Sequence, residues 1–115
     1  MATTKAEKEQ QRSSRLSRTL SDAVVIVTGA SSGIGAATAR ELVQHGAQVI
    51  LTTRHAEELA VQARTITNAG HRALAIPTDI TDATQIAHLV EQTIEQFGHI
   101  DVLANNAGIG RLKQL

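Results

Sequence analysis

The 115-residue sequence carries 11 basic and 11 acidic side chains and is 42% hydrophobic, which describes one globular domain and excludes a disordered polymer. Zero formal net charge removes the attraction that a nucleic-acid partner exploits, and no run approaches the roughly 20 apolar residues of a membrane span. With no cysteine and no apolar secretory core at the N-terminus, disulfide and thiol chemistry are excluded and a cytoplasmic location is the expectation.

Residues 1–21 are polar with mixed charge, and Leu16 and Leu20 are their larger aliphatics. They read as a disordered polar tail, followed by a partial nucleotide-binding domain over residues 22–115. The spacing of Arg12, Arg15 and Arg18 would also suit a basic helical face or part of an organellar address, the latter opposed by Glu7 and Glu9.

The first strand is expected over residues 23–28. A helix then runs from about residue 32 or 33 to 45, with Ile34, Thr38 and Leu42 on one face and Gly46 as its stop. A second strand covers 48–52. The next helix spans 56–69, with Leu59, Ala63 and Ile66 inward, Gly70 as its stop, and a capping box between His55 and Glu58. A third strand at 73–76 is closed by Pro77. Asp82 and Gln85 open a last helix ending near Phe97, whose apolar positions Ile86, Leu89, Val90, Ile94 and Phe97 recur at helical intervals. Gly98 ends it before a fourth strand at 100–104. Strands alternating with helices across short connections imply a parallel α/β sheet, with the first strand between the second and the fourth and a crevice where the winding reverses.

Between the first strand and its helix stands Thr28-Gly29-Ala30-Ser31-Ser32-Gly33-Ile34-Gly35. A helix start offers unpaired N–H groups and the positive end of the helix dipole, and glycines let an anion approach the backbone without meeting a Cβ. Gly29 suits the turn out of the strand, Gly33 the close approach and Gly35 helix-to-sheet packing. The alternative reading is that these glycines simply end a strand. After the fourth strand comes Asn105-Asn106-Ala107-Gly108, and the topology brings both segments to one crevice.

These residues resemble the short-chain dehydrogenase/reductase family, whose cofactor half carries Thr-Gly-x-x-x-Gly-Ile-Gly after the first strand and Asn-Asn-Ala-Gly after the fourth. An Asp after the third strand, here Asp79, agrees with the family pattern. The resemblance covers residues 22–111. It implies a Rossmann-like doubly wound parallel sheet in the order 3-2-1-4, truncated after the fourth strand, and hydride transfer between a nicotinamide dinucleotide and a carbonyl or alcohol. It implies that Gly29, Ser31, Ser32, Gly33, Ile34 and Gly35 hold the pyrophosphate, Asp79 and Ile80 the adenine, and Asn106 with Gly108 the adjacent ribose region, while Asn105 ties the fourth strand to its neighbours.

A carboxylate just after the second strand would select NAD by accepting from both ribose hydroxyls. Thr53 stands there instead, with Arg54 beside it, and a guanidinium takes a phosphate through two hydrogen bonds. The expected cofactor is therefore NADP in preference to NAD. The competing reading of Arg54 is a solvated residue near a helix start.

The family's proton-transfer groups are a Tyr, a Lys four residues later and a Ser, all beyond the fourth strand. The sequence has no tyrosine, so by itself it is expected to be inactive in hydride transfer. Alternatives are a non-catalytic dinucleotide-binding module, one completed by a partner chain, or an inactive truncated product. Residues 100–104 would form an open apolar edge, from which self-association is expected. His45, His55, His71, His88 and His99 are scattered, and no metal site is expected.

Overall fold

The computed structural model describes residues 4–30 and 33–105, and of residues 12–19 the backbone alone. In chain order the elements are α1 (Lys5–Leu20), β1 (Val24–Thr28), α2 (Gly33–Gln44), β2 (Gln48–Thr52), α3 (Ala56–Asn68), β3 (Ala73–Ala75), α4 (Ala83–Phe97) and β4 (Val102–Asn105). The strands form one parallel sheet in the order β3-β2-β1-β4, the Rossmann-like arrangement expected from the alternating pattern. The register runs from Val24↔Gln48 to Thr28↔Thr52 between β1 and β2, and from Val25↔Val102 to Thr28↔Asn105 between β1 and β4.

Successive side chains along a strand point to opposite faces, so each strand feeds two cores. Val25, Val27, Val49 and Leu51 cluster with Ala39 and Val43 of α2 and Leu59 and Ile66 of α3. Val24, Ile26 and Ile50 cluster with Ile76 and with Leu89 of α4. Burial on both faces explains why β1 and β2 read as continuous apolar runs rather than alternating ones. Each fully buried aliphatic such as Leu51 contributes about 1.5–3 kcal/mol relative to exposure.

The packing departs from the sequence reading in four places. Residues 5–20 form a helix where a disordered tail was expected. Thr4 starts it by accepting the Glu7 N–H at 3.1 Å, and Lys, Ala, Glu, Gln, Arg and Leu all favour propagation. Its last residue, Leu20, packs against the α2/α3 face of the core.

Second, of the α2 face expected to be inward, Leu42 packs half-buried against the core but Ile34 does not. Ile34 is 63% exposed, and the buried positions are Gly35, Ala36, Ala39 and Val43. Close approach of the helix to β1 demands small residues, and those four supply them.

Third, α4 buries Leu89 and Thr93 but leaves Ile94 49% exposed, with Ile86 and Val90 also exposed. Among the described residues no element covers that stripe, because α4 touches the sheet along the Leu89 line alone. Asp82 caps this helix as expected, accepting the Thr84 N–H at 2.9 Å, and Gly98 ends it in the left-handed conformation at φ 88°.

Fourth, His55 stands at the N-cap of α3 without a side-chain cap bond. Imidazole lacks the short oxygen acceptor that this position rewards.

Candidate functional site

The glycine segment leaves β1 with Gly29 at φ 62°, a left-handed conformation in which a side chain is strained. α2 then begins at Gly33, at φ 56°, and its first turn holds no acidic side chain. A Cβ placed on Gly33 would meet none of the described residues within 4 Å. A Cβ on Gly35 would instead overlap the Gly29 carbonyl oxygen and lie 2.7 Å from its carbon. The two glycines thus differ in their surroundings: Gly35 lets the helix start press on the strand end, while no described residue crowds Gly33. First-turn amides of a helix have no intrahelical partner and attract anions. Ser31 and Ser32, named with them as pyrophosphate contacts, lie outside the described residues.

On the other side of β1, the Thr28 hydroxyl donates to Asn105 Oδ1 at 2.9 Å. Asn105 therefore ties β4 to β1, the role expected of it. Asn106 and Gly108 lie outside the described residues, so the meeting of the two motifs is seen at Thr28 and Asn105.

One concave surface that the described residues form lies over the ends of β1, β2 and β3. It is a cleft of about 200 Å³ lined by Gly29, residues 52–55 and residues 78–81. Arg54, Asp79 and Ile80, singled out from the sequence, all reach it. Its walls are joined by backbone hydrogen bonds: Ala30 N–H to Thr52 O at 3.3 Å and Thr78 N–H to Thr53 O at 2.9 Å.

Asp79 is held in place by its neighbours. Its Oδ1 accepts the Thr81 hydroxyl at 2.6 Å and the Thr81 N–H at 2.9 Å, while its own N–H donates to Gln85 Oε1 at 2.8 Å. The Thr81 hydroxyl, then the Thr81 amide, pull the carboxyl below its ordinary pKa; desolvation opposes them, and Arg54 adds a smaller downward pull. Asp79 is therefore a fixed carboxylate at neutral pH, able to accept from a ligand donor.

The sequence reading missed two residues here. Thr81 was not singled out, although the spacing Asp-x-Thr is a signal for a side chain folding onto the backbone two residues on. Thr52 is fully buried, and its hydroxyl has no hydrogen-bond partner among the described residues. Nothing in the local sequence distinguishes it from an ordinary strand threonine.

A model of the family described as short chain dehydrogenase matches residues 23–115. The chain belongs to the short-chain dehydrogenases. It is 47% identical over 92 residues to the cis-4-hydroxycyclohexanecarboxylate dehydrogenase of Sinomonas cyclohexanicum, covering 78% of this chain and 36% of that protein. To the ketoacyl reductase HetN of Nostoc it is 42% identical over 91 residues, covering 79% of this chain and 32% of HetN. The chain thus spans about a third of the length of these short-chain dehydrogenase relatives.

Among solved structures, a short chain dehydrogenase from Mycobacterium smegmatis superposes with a TM-score of 0.72 at 36% identity, covering 76% of this chain and 37% of that one. A short-chain dehydrogenase/reductase from Burkholderia phymatum, solved in complex with NAD, gives 0.71 at 28% identity, covering 73% and 30%. The family is one of oxidoreductases that use NAD(P). No helix among the described residues is long and apolar enough to cross a membrane.

The residues present fit such a cofactor. No described residue crowds the helix start at Gly33, Arg54 stands at the cleft, Asp79 is fixed as an acceptor, and Thr52, whose hydroxyl has no partner among the described residues, lines the cleft.

Proposed function

We infer that residues 22–115 form the cofactor-binding half of an NADP-dependent short-chain dehydrogenase/reductase. The adenosine end of the dinucleotide lies in the cleft over β2 and β3, and the pyrophosphate at the start of α2. The observation that carries this reading is the composition of the cleft mouth: Thr53 stands where NAD-selective relatives of this pattern would present an acid, and the cation of Arg54 follows it. Arg54 pairs with the 2′-phosphate, Asp79 and Ile80 hold the adenine, and residues 29–35 hold the pyrophosphate, with Asn106 and Gly108 beside the second ribose.

The nicotinamide group, when bound, supplies the hydride chemistry. What these residues do is bind and orient the dinucleotide. Reduction of a carbonyl also needs a proton donor at the substrate oxygen, and a sequence without tyrosine does not contain the one the family uses. The 115 residues by themselves therefore bind cofactor and turn over no substrate. A cysteine-free sequence supports a cytoplasmic setting.

The test is calorimetric titration of the 115-residue chain with NADPH and NADH. Saturable NADPH binding, tighter than NADH and weakened about tenfold or more by Arg54→Ala, is the expected result, since charge-assisted hydrogen bonds of about 1.5–3 kcal/mol are removed. Equal affinity for both dinucleotides, unchanged by the substitution, refutes the NADP assignment.

A second reading rests on a separate observation. Among the described residues β4 has β1 as its strand neighbour and leaves Val102 and Leu103 exposed, which supports pairing with a further strand through residues 100–104.

A further inference from the structure

The Thr52 side chain combines features that pull in opposite directions. It is fully buried, it lines the cleft, and its Oγ1 has no partner among the described residues. Two other buried threonines at this end of the sheet are satisfied: Thr28 at the end of β1 donates to Asn105 Oδ1 at 2.9 Å, and Thr78, in the loop after β3, donates to the Ile76 carbonyl at 3.0 Å. The Thr52 carbonyl is likewise used, by the Ala30 N–H. A buried hydroxyl without a partner is destabilising, and valine would fill the same volume without that cost.

We propose that Thr52 is a cofactor-contacting residue of the cleft, whose hydroxyl leaves its buried position when the dinucleotide binds and makes a hydrogen bond, directly or through one water, to the adenosine part. The proposal rests on the reading that the cleft receives that part. It goes further in naming a polar contact from the strand itself, behind the surface formed by Arg54 and Asp79. A hydroxyl both donates and accepts, so Thr52 can serve ribose hydroxyls or ring nitrogens alike. Arg54, by contrast, recognises only an anion.

Apo-state stability and ligand affinity should therefore move in opposite directions. In the full chain, Thr52→Val is expected to unfold at the same temperature as the unsubstituted protein or higher. It should bind NADPH, and ADP used as a fragment probe, about three- to tenfold more weakly, the range for one neutral hydrogen bond. Affinity for nicotinamide mononucleotide should not change. Thr52→Ser, which keeps the hydroxyl, should bind ADP within twofold of the unsubstituted protein. If Thr52→Val lowers the melting temperature while ADP affinity holds, or fails to fold, the hydroxyl serves the fold and the proposal is overturned. Failure of the unsubstituted chain to bind ADP or NADPH overturns the cofactor reading as well, whereas normal ADP binding by Thr52→Val removes the Thr52 role alone.

Discussion

Thr28 and Asn105 face each other in register across β1 and β4, with the threonine hydroxyl 2.9 Å from the asparagine Oδ1. The same hydroxyl lies 3.4 Å from the Ala104 carbonyl. A side-chain pair at the ends of two parallel strands thus joins the first residues of the two family motifs. Asn105→Ala should cost about 1 kcal/mol, because Thr28 keeps the weaker contact to Ala104. A double-mutant cycle with Thr28→Val, read by urea unfolding, should give a coupling of about 0.5–1.5 kcal/mol. Additive effects would show that the pair is not formed.

Gly33 and Gly35 separate binding from packing. Gly35→Ala forces a Cβ onto the Gly29 carbonyl, so its unfolding free energy should fall by about 3 kcal/mol, at the upper end for overpacking. Gly33→Ala places its Cβ with no described residue within 4 Å but keeps φ at 56°, which costs about 1–2 kcal/mol. It should also weaken NADPH by crowding the approach to the helix start. A Gly35→Ala protein as stable as the parent contradicts the packing described.

Asp79 gives a pH prediction with a definite sign. Its carboxyl is held below the ordinary value of 3.8, first by the Thr81 hydroxyl and then by the Thr81 amide. A group whose folded pKa is lowered adds stability above its unfolded pKa and loses it as pH falls through the folded value. The contribution is therefore complete at neutral pH and fades only below about 3.8. Thr81→Ala should move the Asp79 titration upward, followed by carboxyl carbon NMR shifts. An unmoved titration would mean that the 2.6 Å hydroxyl contact is absent in solution.

The cofactor preference should be reversible at two adjacent positions. Thr53→Asp together with Arg54→Ala places a carboxylate after β2 and removes the guanidinium, so the ratio of NADPH to NADH affinity should fall by tenfold or more. A ratio unchanged in the double variant points to selection elsewhere.

Among the described residues β4 has β1 as its strand neighbour, and its Leu103 is 60% exposed. Leu103→Lys, a charge on an edge strand, should shift the sedimentation of the chain toward monomer at micromolar concentration. Identical distributions for parent and variant rule out association through β4.

Much of this was readable in the amino-acid order because it is local. Continuous apolar runs at β1 and β2, glycines after α2, α3 and α4, and the Asp82 cap each act within a few residues. They indicated every element after α1 and, with the alternation rule, the sheet order. The Gly29 to Gly35 spacing also pointed to the close packing of Gly35 on the end of β1.

What the tertiary structure alone decided depends on partners distant in the chain. Periodicity shows that α2 and α4 have apolar faces, but which residues meet the sheet is set by how closely each helix approaches it. Hence Ala36 and Ala39 are buried while Ile34 and Ile94 are not. Whether a threonine hydroxyl finds a partner is likewise a question of neighbours: Thr28 finds one in Asn105, 77 positions away, and Thr52, beside it in the sheet, finds none among the described residues. Hydrogen bonding is directional and short in range, so no one-dimensional pattern encodes it.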